Sequence, residues 1–379
     1  MSVLRGLSII DPPFLVGLGL VTAAVFVASW FRWRRRWVRW GVRASGLVLA
    51  IMMAAAAVNA RFGYLPTAAA LLGHGVVDQV PMSRLRQLES AASARHAGRL
   101  RLAVSHDPVP APARPKQGVV VAFTIPPTRS HFHARTAEVY LPPAYFESPR
   151  PRLPVIELLH GTPGSPIDWT RGGMADVTAD TFASHHRGFA PVLVMPDVNG
   201  SWLADTECVN GRQGRVQTYL TADVRNAMIS RFHTRRDAGG WAIAGLSEGG
   251  YCALQIGLRH PNLYSAIGDF SGEAEPSSSG GLHDLFAGTP AQMRRQAAQY
   301  DPINLLQTWR GTTRPYIWFD DGSSDPTTPV MTELNLLARA RGFRTRFEVQ
   351  PGAIHSFISW HDAFANALPS LAHLTEAPI

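Results

Sequence analysis

A serine in the setting of a catalytic nucleophile stands at position 247, in the pentapeptide Gly-Leu-Ser-Glu-Gly. The apolar residues 241–244 before it predict a buried strand, and residues 250–258 after it predict a helix. A sharp turn from strand to helix exposes a serine hydroxyl and needs small neighbours, which Gly245 and Gly249 supply. Backbone N–H groups at the helix start favour a developing oxyanion. Ser247 is therefore predicted to be a nucleophile, the alternative being a glycine-rich turn that contains a serine by chance.

A base and an acid follow Ser247 in the chain order serine, acid, histidine that such sites use. The predicted base is His355, on a loop between the strand-like residues 345–349 and a probable helix. The predicted acid is Asp325, a few residues past the strand predicted at 315–319. Asp320 and Asp321 are the alternatives for the acid, and Asp320 could instead brace the loop.

An oxyanion hole needs a second N–H from the loop after an earlier strand. Residues 155–159 predict that strand, and a turn rich in Gly and Pro follows at 160–164. We predict that Thr162 and Glu248 supply the two N–H groups, with Gly161 as a substitute for Thr162. His160 is expected to pack beneath the loop rather than act as a base.

Seven short stretches resemble, in the same order, the esterase D and mycolyltransferase family of α/β-hydrolases. They are residues 139–143, 158–161, 194–196, 218–221, 245–247, 258–261 and 352–357. The resemblance implies a mostly parallel central sheet with helices on both faces, and it assigns the nucleophile, acid and base to Ser247, Asp325 and His355. The secreted mycolyltransferases typically have Met where this chain has Glu248, and a Glu as the acid. These departures weigh against mycolyl transfer to trehalose and leave serine acyl-ester chemistry intact.

The composition sets broad limits on the protein. The chain has 379 residues, 46% of them hydrophobic, which is enough for one large α/β domain and an attachment. Most of the formal net charge of +8 comes from one segment with arginines at 32, 34, 35, 36, 39 and 43. The remainder is not strongly basic, so we expect no nucleic-acid partner.

Two apolar runs near the N-terminus predict membrane-spanning helices, at about residues 13–31 and 44–60. Tryptophans crowd the junction between them, as interfacial aromatic residues do. The arginine segment lies between the runs, so the positive-inside rule places it in the cytoplasm and the body of the protein outside. A cleaved signal peptide, or one span plus a buried helix, is the alternative.

These features divide the chain into three parts. Residues 1–62 form the predicted membrane anchor, 63–117 a juxtamembrane helix and Pro-rich linker, and 118–379 an extracytoplasmic catalytic domain. The helix, at residues 83–100, could lie along the membrane surface, cover part of the domain or be solvated.

The chain contains two cysteines, Cys208 and Cys252. An extracytoplasmic location permits a disulfide between them, and two free buried thiols are the alternative. The spacing of Cys and His residues does not match a metal site, so we predict neither a metal nor another cofactor.

Acidic residues gather on loops predicted to lie at the carboxyl ends of the strands, and we take them as candidate substrate-binding residues together with Gly161. They are Asp197, Asp205, Glu207, Glu248, Glu273 and Glu275. Most surface acids are simply solvated. If several converge, the pocket would favour a substrate with a cationic group, such as an aminoacyl ester.

Together these features predict a membrane-anchored, extracytoplasmic serine esterase or acyltransferase that forms an acyl-enzyme. Its expected substrates are lipid, glycolipid or aminoacyl esters of the cell envelope. The alternatives are a catalytically silent envelope adaptor, a mycolyltransferase to a sugar acceptor, and a peptidase.

Overall fold

The computed structural model describes residues 8–31, 35–71, 77–102 and 115–375. The chain divides into two compact units, Met1–Val76 with Ser356–Ile358, and Val77–His355 with Ser359–Ile379.

The first unit holds helices α1 (Pro12–Ala28), α2 (Arg36–Phe62) and α3 (Ala68–Leu71). α1 and α2 pack against each other, yet large apolar side chains on both helices remain exposed, among them Leu20 and Ile51. Exposed apolar surface of this extent is normally covered by lipid or by a partner. In the described part of the chain, α2 alone meets the length and composition of a membrane span, since α1 has only 17 residues.

The helix that contains the second predicted span begins before the apolar run. We expected it at residues 44–60 with the arginines in a preceding loop, but α2 begins at Arg36 and includes Arg39 and Arg43. Arginine is a good helix former, so the helix continues through the charged segment. Residues 32–34, with two further arginines, lie outside the described residues.

The second unit is built on one large sheet. Its strands, together with a separate short hairpin β6–β7, are β1 (Asp78–Val80), β2 (Val119–Phe123), β3 (Ala137–Leu141), β4 (Val155–Leu159), β5 (Val192–Met195), β6 (Asn210–Gly211), β7 (Gly214–Arg215), β8 (Trp241–Leu246), β9 (Ala266–Phe270), β10 (Tyr316–Gly322) and β11 (Thr345–Gln350). Within the described ranges the sheet order is β1-β2-β3-β5-β4-β8-β9-β10-β11. Pairing is parallel except where β3 meets β2 and β5. The prediction of a mostly parallel central sheet is confirmed.

Helices connect and cover these strands. They are α4 (Met82–Leu102), α5 (Asp168–Arg171), α6 (Ala175–His185), α7 (Val216–Thr218) with a π-turn at Tyr219–Val224, α8 (Arg225–Arg231), α9 (Glu248–Arg259), α10 (Leu282–Leu285), α11 (Pro290–Ala297), α12 (Pro302–Gln307), α13 (Thr328–Ala340) and α14 (Phe357–Leu374), with 3₁₀ turns at Pro143–Phe146 and Ala238–Gly240. The strands β4, β5 and β8 are buried along their whole length. Continuous apolar strands of this kind are expected where helices cover both faces of a parallel sheet.

The parallel pairing sets up the site. β4 and β8 lie side by side with Leu159 opposite Gly245. β10 lies beside β9 and β11 in parallel register. The loops that leave the carboxyl ends of these strands therefore meet at one edge of the sheet, where open α/β folds bind ligands.

Helix α4 and strand β1 belong to the second unit, so this unit begins earlier than the predicted boundary at residue 118. β1 extends the sheet in parallel with β2. Leu85 on α4 is fully buried, and Glu89 accepts hydrogen bonds from Tyr145 Oη at 2.7 Å and Arg231 Nη1 at 3.0 Å. Of the three positions open for this helix, the structure shows the one that covers part of the domain. The predicted Pro-rich linker falls largely on residues 103–114, outside the described residues.

Candidate active site

Ser247 lies in a sharp turn between β8 and α9. Its backbone has φ 55° and ψ −128°, a left-handed conformation that is strained for a residue with a side chain. A Cβ on Gly245 would collide with the backbone of Gly249, and one on Gly249 would collide with the Leu159 carbonyl. Both glycines are therefore required by the close approach of the helix start to the strands, as the sequence predicted.

A chain of hydrogen bonds joins Ser247 to His355 and Asp325. Ser247 Oγ lies 2.9 Å from His355 Nε2, and His355 Nδ1 lies 2.9 Å from Asp325 Oδ2. Asp325 is 4% exposed. Its burial would raise the pKa, but the hydrogen bonds from His355 and Thr327 outweigh it and lower the pKa to about 2. The carboxylate therefore favours a proton on Nδ1, which leaves Nε2 free to accept the serine proton.

The two alternative acids, Asp320 and Asp321, lie on strand β10, whereas Asp325 lies on the loop after it. Asp321 accepts hydrogen bonds from Ser271 Oγ at 3.0 Å and Thr327 Oγ1 at 2.9 Å, and burial together with the Asp325 charge raises its pKa to about 6. Thr327 Oγ1 is also 2.7 Å from Asp325 Oδ1, so this hydroxyl separates the two carboxyl groups. Asp320 lies 2.7 Å from Gln350 Nε2 and braces β10 against β11.

The loop after β4 packs directly against the nucleophile. A Cβ on Gly161 would lie 3.0 Å from Ser247 Cβ. Thr162 Oγ1 donates a short hydrogen bond to the Glu248 carboxylate. Asn199 Nδ2 lies 2.8 Å from Glu248 Oε2 and 2.6 Å from Thr162 Oγ1. The side chain of Glu248 thus ties together the two residues predicted to form the oxyanion hole.

His160 and Asp197 form a buried brace under this loop. His160 is fully buried, with Nδ1 2.8 Å from the Gly161 carbonyl and Nε2 3.2 Å from Asp197 Oδ1. Asp197 also accepts hydrogen bonds at 2.6 Å from both the backbone N–H and the guanidinium of Arg135. Burial opposes ionisation of Asp197, but these donors outweigh it and hold its pKa well below the usual range.

These contacts bear on the expected roles of Asp197 and His160. Asp197 has no exposed surface and its oxygens are occupied by protein donors, so the assignment as a substrate-binding residue is wrong. Its carboxylate is needed inside the protein to hold Arg135 and the loop at Gly200 in place. His160 packs beneath the loop, as expected.

The other candidate acids occupy different environments. Glu207 is 2% exposed and Glu248 is 4% exposed, while Asp205 and Glu273 are partly exposed. Burial and the nearby carboxyl groups raise the pKa of Glu207 well above its usual value, and burial with Asp205 raises that of Glu248 to about 7. Glu273 accepts a hydrogen bond from Ser277 Oγ at 2.6 Å. Because the charges of Asp205 and Glu248 act on Glu207, and that of Asp205 acts on Glu248, we call these three residues the acidic cluster.

Cys208 and Cys252 form the predicted disulfide. It joins the loop that follows β5 to helix α9, five residues past Ser247. The sulfur atoms and the Glu248 carboxylate lie close together. Because metals bind thiolates and both sulfurs here are engaged in the disulfide, these three residues do not form a metal site.

Sequence reasoning missed three residues of this site. Asn199 binds the Glu248 carboxylate, Thr327 lies between the carboxyl groups of Asp321 and Asp325, and Arg135 pairs with Asp197. Asn199 lies 49 residues and Arg135 lies 62 residues from the group it contacts. No periodicity or spacing in the sequence links positions so far apart.

A protein family and a sequence relative match this chain. The family described as "Putative esterase" matches residues 130–371. An uncharacterized protein of Corynebacterium glutamicum is 36% identical over 266 residues, 67% of this chain. The chain spans only 61% of that relative's length.

Solved structures of three enzymes share the fold. A ferulic acid esterase has a TM-score of 0.57 at 19% identity, covering 68% of this chain and 99% of its own. A substrate-bound fluorophosphonate-binding serine hydrolase of Staphylococcus aureus has a TM-score of 0.56 at 17% identity, covering 68% and 99%. An S-formylglutathione hydrolase from Agrobacterium tumefaciens has a TM-score of 0.54 at 19% identity, covering 72% and 99%.

Proposed function

The chain belongs to the family described as putative esterase, and we propose that it is a serine hydrolase or acyltransferase whose catalytic triad is Ser247, His355 and Asp325. The observation that carries the proposal is the unbroken pair of 2.9 Å contacts from the serine hydroxyl through the imidazole to a buried carboxylate. Nucleophile, base and orienting acid stand in the geometry that covalent acyl transfer requires.

The proposed reaction has two steps. His355 Nε2 takes the hydroxyl proton as Ser247 Oγ attacks the ester carbonyl, and Asp325 stabilises the imidazolium that forms. The N–H groups of Thr162 and Glu248 receive the oxyanion, each contributing about 3 to 4 kcal/mol. The tetrahedral intermediate collapses, and the alcohol leaves with the proton from His355. Water or a second alcohol then attacks the acyl-enzyme by the same path in reverse.

Labelling with a fluorophosphonate probe and hydrolysis of 4-nitrophenyl butyrate test this mechanism together. Wild-type protein should be labelled and active, and Ser247→Ala should lose both properties. Ser230→Ala is the matched control, because Ser230 lies on α8 and, among the described residues, its hydroxyl donates only to carbonyl groups of its own helix. An unlabelled wild-type protein would favour the silent adaptor, and a labelled Ser247→Ala protein would assign the nucleophile to another serine.

We further propose that α1 and α2 both cross the membrane and place the catalytic unit outside the cytoplasm. The exposed apolar side chains of both helices and the arginines at the start of α2 support this topology. The disulfide supports an oxidising compartment. A reporter that is active only outside the cytoplasm should be active when it is fused after Ile379. A reporter that is active only in the cytoplasm should be silent there, and a signal from it would refute the topology.

The substrate class we propose is an acyl ester of an envelope lipid. The loop between β5 and β6 carries Asn199 at the site and also Trp202 and Leu203, which are 58% and 75% exposed. The Trp202 carbonyl accepts a hydrogen bond from Gly164 N at 3.2 Å, which fixes this apolar tip beside the loop of Thr162. Taking the lipid as the alcohol side of the ester, we expect Trp202→Ser to raise KM for acetate esters of long-chain alcohols more than for acetate esters of short-chain alcohols. An equal change for both would remove the support for a lipid substrate.

A further inference from the structure

The acidic cluster brings three carboxyl groups together beside the nucleophile. Glu248 follows Ser247 in the chain, and Asp205 and Glu207 come from the loop after β5. The backbone N–H of Glu207 lies 3.2 Å from Glu248 Oε1, and a side-chain hydrogen bond joins Glu207 to Asp205. The disulfide at Cys208 anchors this loop to α9, so the cluster is held rigidly against the site.

The cluster is short of positive partners. The Glu248 carboxylate accepts hydrogen bonds from Thr162 Oγ1, Asn199 Nδ2 and the backbone N–H of Glu207. By contrast, Glu207 Oε2 and Asp205 Oδ1 are buried, and within the described part of the chain no N–H or O–H group from outside this pair donates to them.

The charges that act most strongly on this pair are also negative. For Glu207 they are those of Glu248, Asp205 and Glu273, and for Asp205 those of Glu273 and Asp284. Two carboxyl groups that face each other must share a proton or bind a cation, because both are acceptors when ionised. Within this pair of carboxyl groups, Glu207 is buried, with 2% of its surface exposed, and Asp205 is partly exposed.

We propose that the acidic cluster binds the ammonium group of the acyl moiety, so that the preferred substrates are aminoacyl esters. This inference rests on the proposed function and names its substrate class. An ammonium group offers three N–H donors and can replace the shared proton between Asp205 and Glu207. Glu248 directly follows Ser247, and its carboxylate bonds to Thr162 on the loop that packs against the nucleophile, so we place the bound amine on the acyl group rather than on the leaving alcohol.

A matched pair of esters tests the proposal. Benzyl alaninate and benzyl isobutyrate share the alcohol and differ only in an ammonium group in place of a methyl group. At pH 7, wild-type protein should hydrolyse the alaninate with a KM at least about tenfold lower, as a charge-assisted hydrogen bond provides. The ratio of the two kcat/KM values corrects for the different intrinsic reactivity of the esters when variants are compared with wild type.

Three variants locate the preference. Asp205→Asn and Glu207→Gln should each reduce the ratio of kcat/KM, alaninate over isobutyrate, at least about tenfold relative to wild type. Glu333→Gln, which removes an exposed carboxylate on α13, should leave the ratio unchanged. Thermal unfolding and mass spectrometry of the intact disulfide establish that each variant is folded.

The outcomes separate the two proposals. Equal KM values for the two esters in wild type, or an unchanged ratio in both cluster variants, would overturn the ammonium site while leaving the esterase intact. A preference that chelators abolish would also overturn it, because the cluster would then hold a divalent cation. If wild-type protein showed neither ester hydrolysis nor fluorophosphonate labelling, the proposed function itself would be refuted.

Discussion

The choice of Asp325 over Asp321 as the triad acid yields the sharpest prediction. Asp325→Asn keeps the size of the side chain and places an amide 2.9 Å from His355 Nδ1. An amide can donate to Nδ1, which would put the imidazole proton on Nε2 and prevent it from accepting the proton of Ser247. Triads altered in this way lose about 10⁴-fold in turnover, equivalent to about 5 kcal/mol of transition-state stabilisation. We expect a loss of that size in kcat/KM.

Asp321→Asn is the matched control on the same strand. Asp321 contacts Thr327 rather than the imidazole. Its Oδ1 accepts hydrogen bonds from Ser271 and the Gly322 backbone, which an amide oxygen can also accept, and the amide nitrogen can donate to Thr327 Oγ1. Neutralising it also removes the like charge beside Asp325. We therefore expect kcat/KM to change less than about tenfold, because hydrogen bonds of this kind contribute about 1 kcal/mol each.

The assay is steady-state hydrolysis of 4-nitrophenyl butyrate by both variants, with circular dichroism to establish that each protein is folded. Rates must be compared at a pH where wild-type activity is constant, so that the change reflects the tautomer of the imidazole. Equal losses in the two variants would show that the carboxyl groups act as one unit. A larger loss of kcat/KM in Asp321→Asn would assign the triad acid to Asp321 and refute the assignment to Asp325.

Three further predictions concern stability and the oxyanion loop. Replacing Cys208 and Cys252 with Ala should lower the unfolding free energy by about 4 kcal/mol in a denaturant titration, since the bond closes a segment with a sequence separation of 44; an unchanged midpoint would contradict this. Gly161→Ala should reduce kcat with little change in fold, because the new Cβ would lie 3.0 Å from Ser247 Cβ; wild-type rates would show that the loop can shift freely. Burial raises the pKa of Glu157 to about 8, so its contribution to stability is complete below its unfolded value and is lost as pH rises toward 8, at up to about 1.4 kcal/mol per pH unit. Glu157→Gln should flatten that decline in unfolding experiments between pH 5 and pH 8, and an unchanged slope would refute it.

The sequence by itself determined the features that depend on neighbouring residues. The turn at Ser247 could be predicted because its sterics require Gly245 and Gly249 within two residues of the serine. The order of nucleophile, acid and base is a linear property. The strand that precedes Asp325 begins with an apolar run, and the strand that precedes His355 alternates polar and apolar residues, so both could be recognised. Cys208 and Cys252, as the two cysteines of the chain, had no other partners to choose from.

Element boundaries were less well determined, with consequences for side-chain direction. The sequence suggested that β10 ended at Phe319, but it continues to Gly322 through pairing with β11. Asp320 and Asp321 therefore lie on the strand and point to opposite sides of the sheet, while Asp325 lies on the loop that reaches His355. The extra length comes from a neighbouring strand, so local composition could not reveal it.

The tertiary structure alone decided which acidic residues meet. Asp197 and Asp205 lie on the same loop, yet Asp197 faces inward to Arg135 and Asp205 joins Glu207 and Glu248. These contacts link segments that are up to 62 residues apart, and they depend on how the loops after β4, β5 and β8 pack. A linear sequence shows that carboxyl groups are present, whereas the balance of burial, donors and like charges that sets their roles exists only after the loops have been brought together.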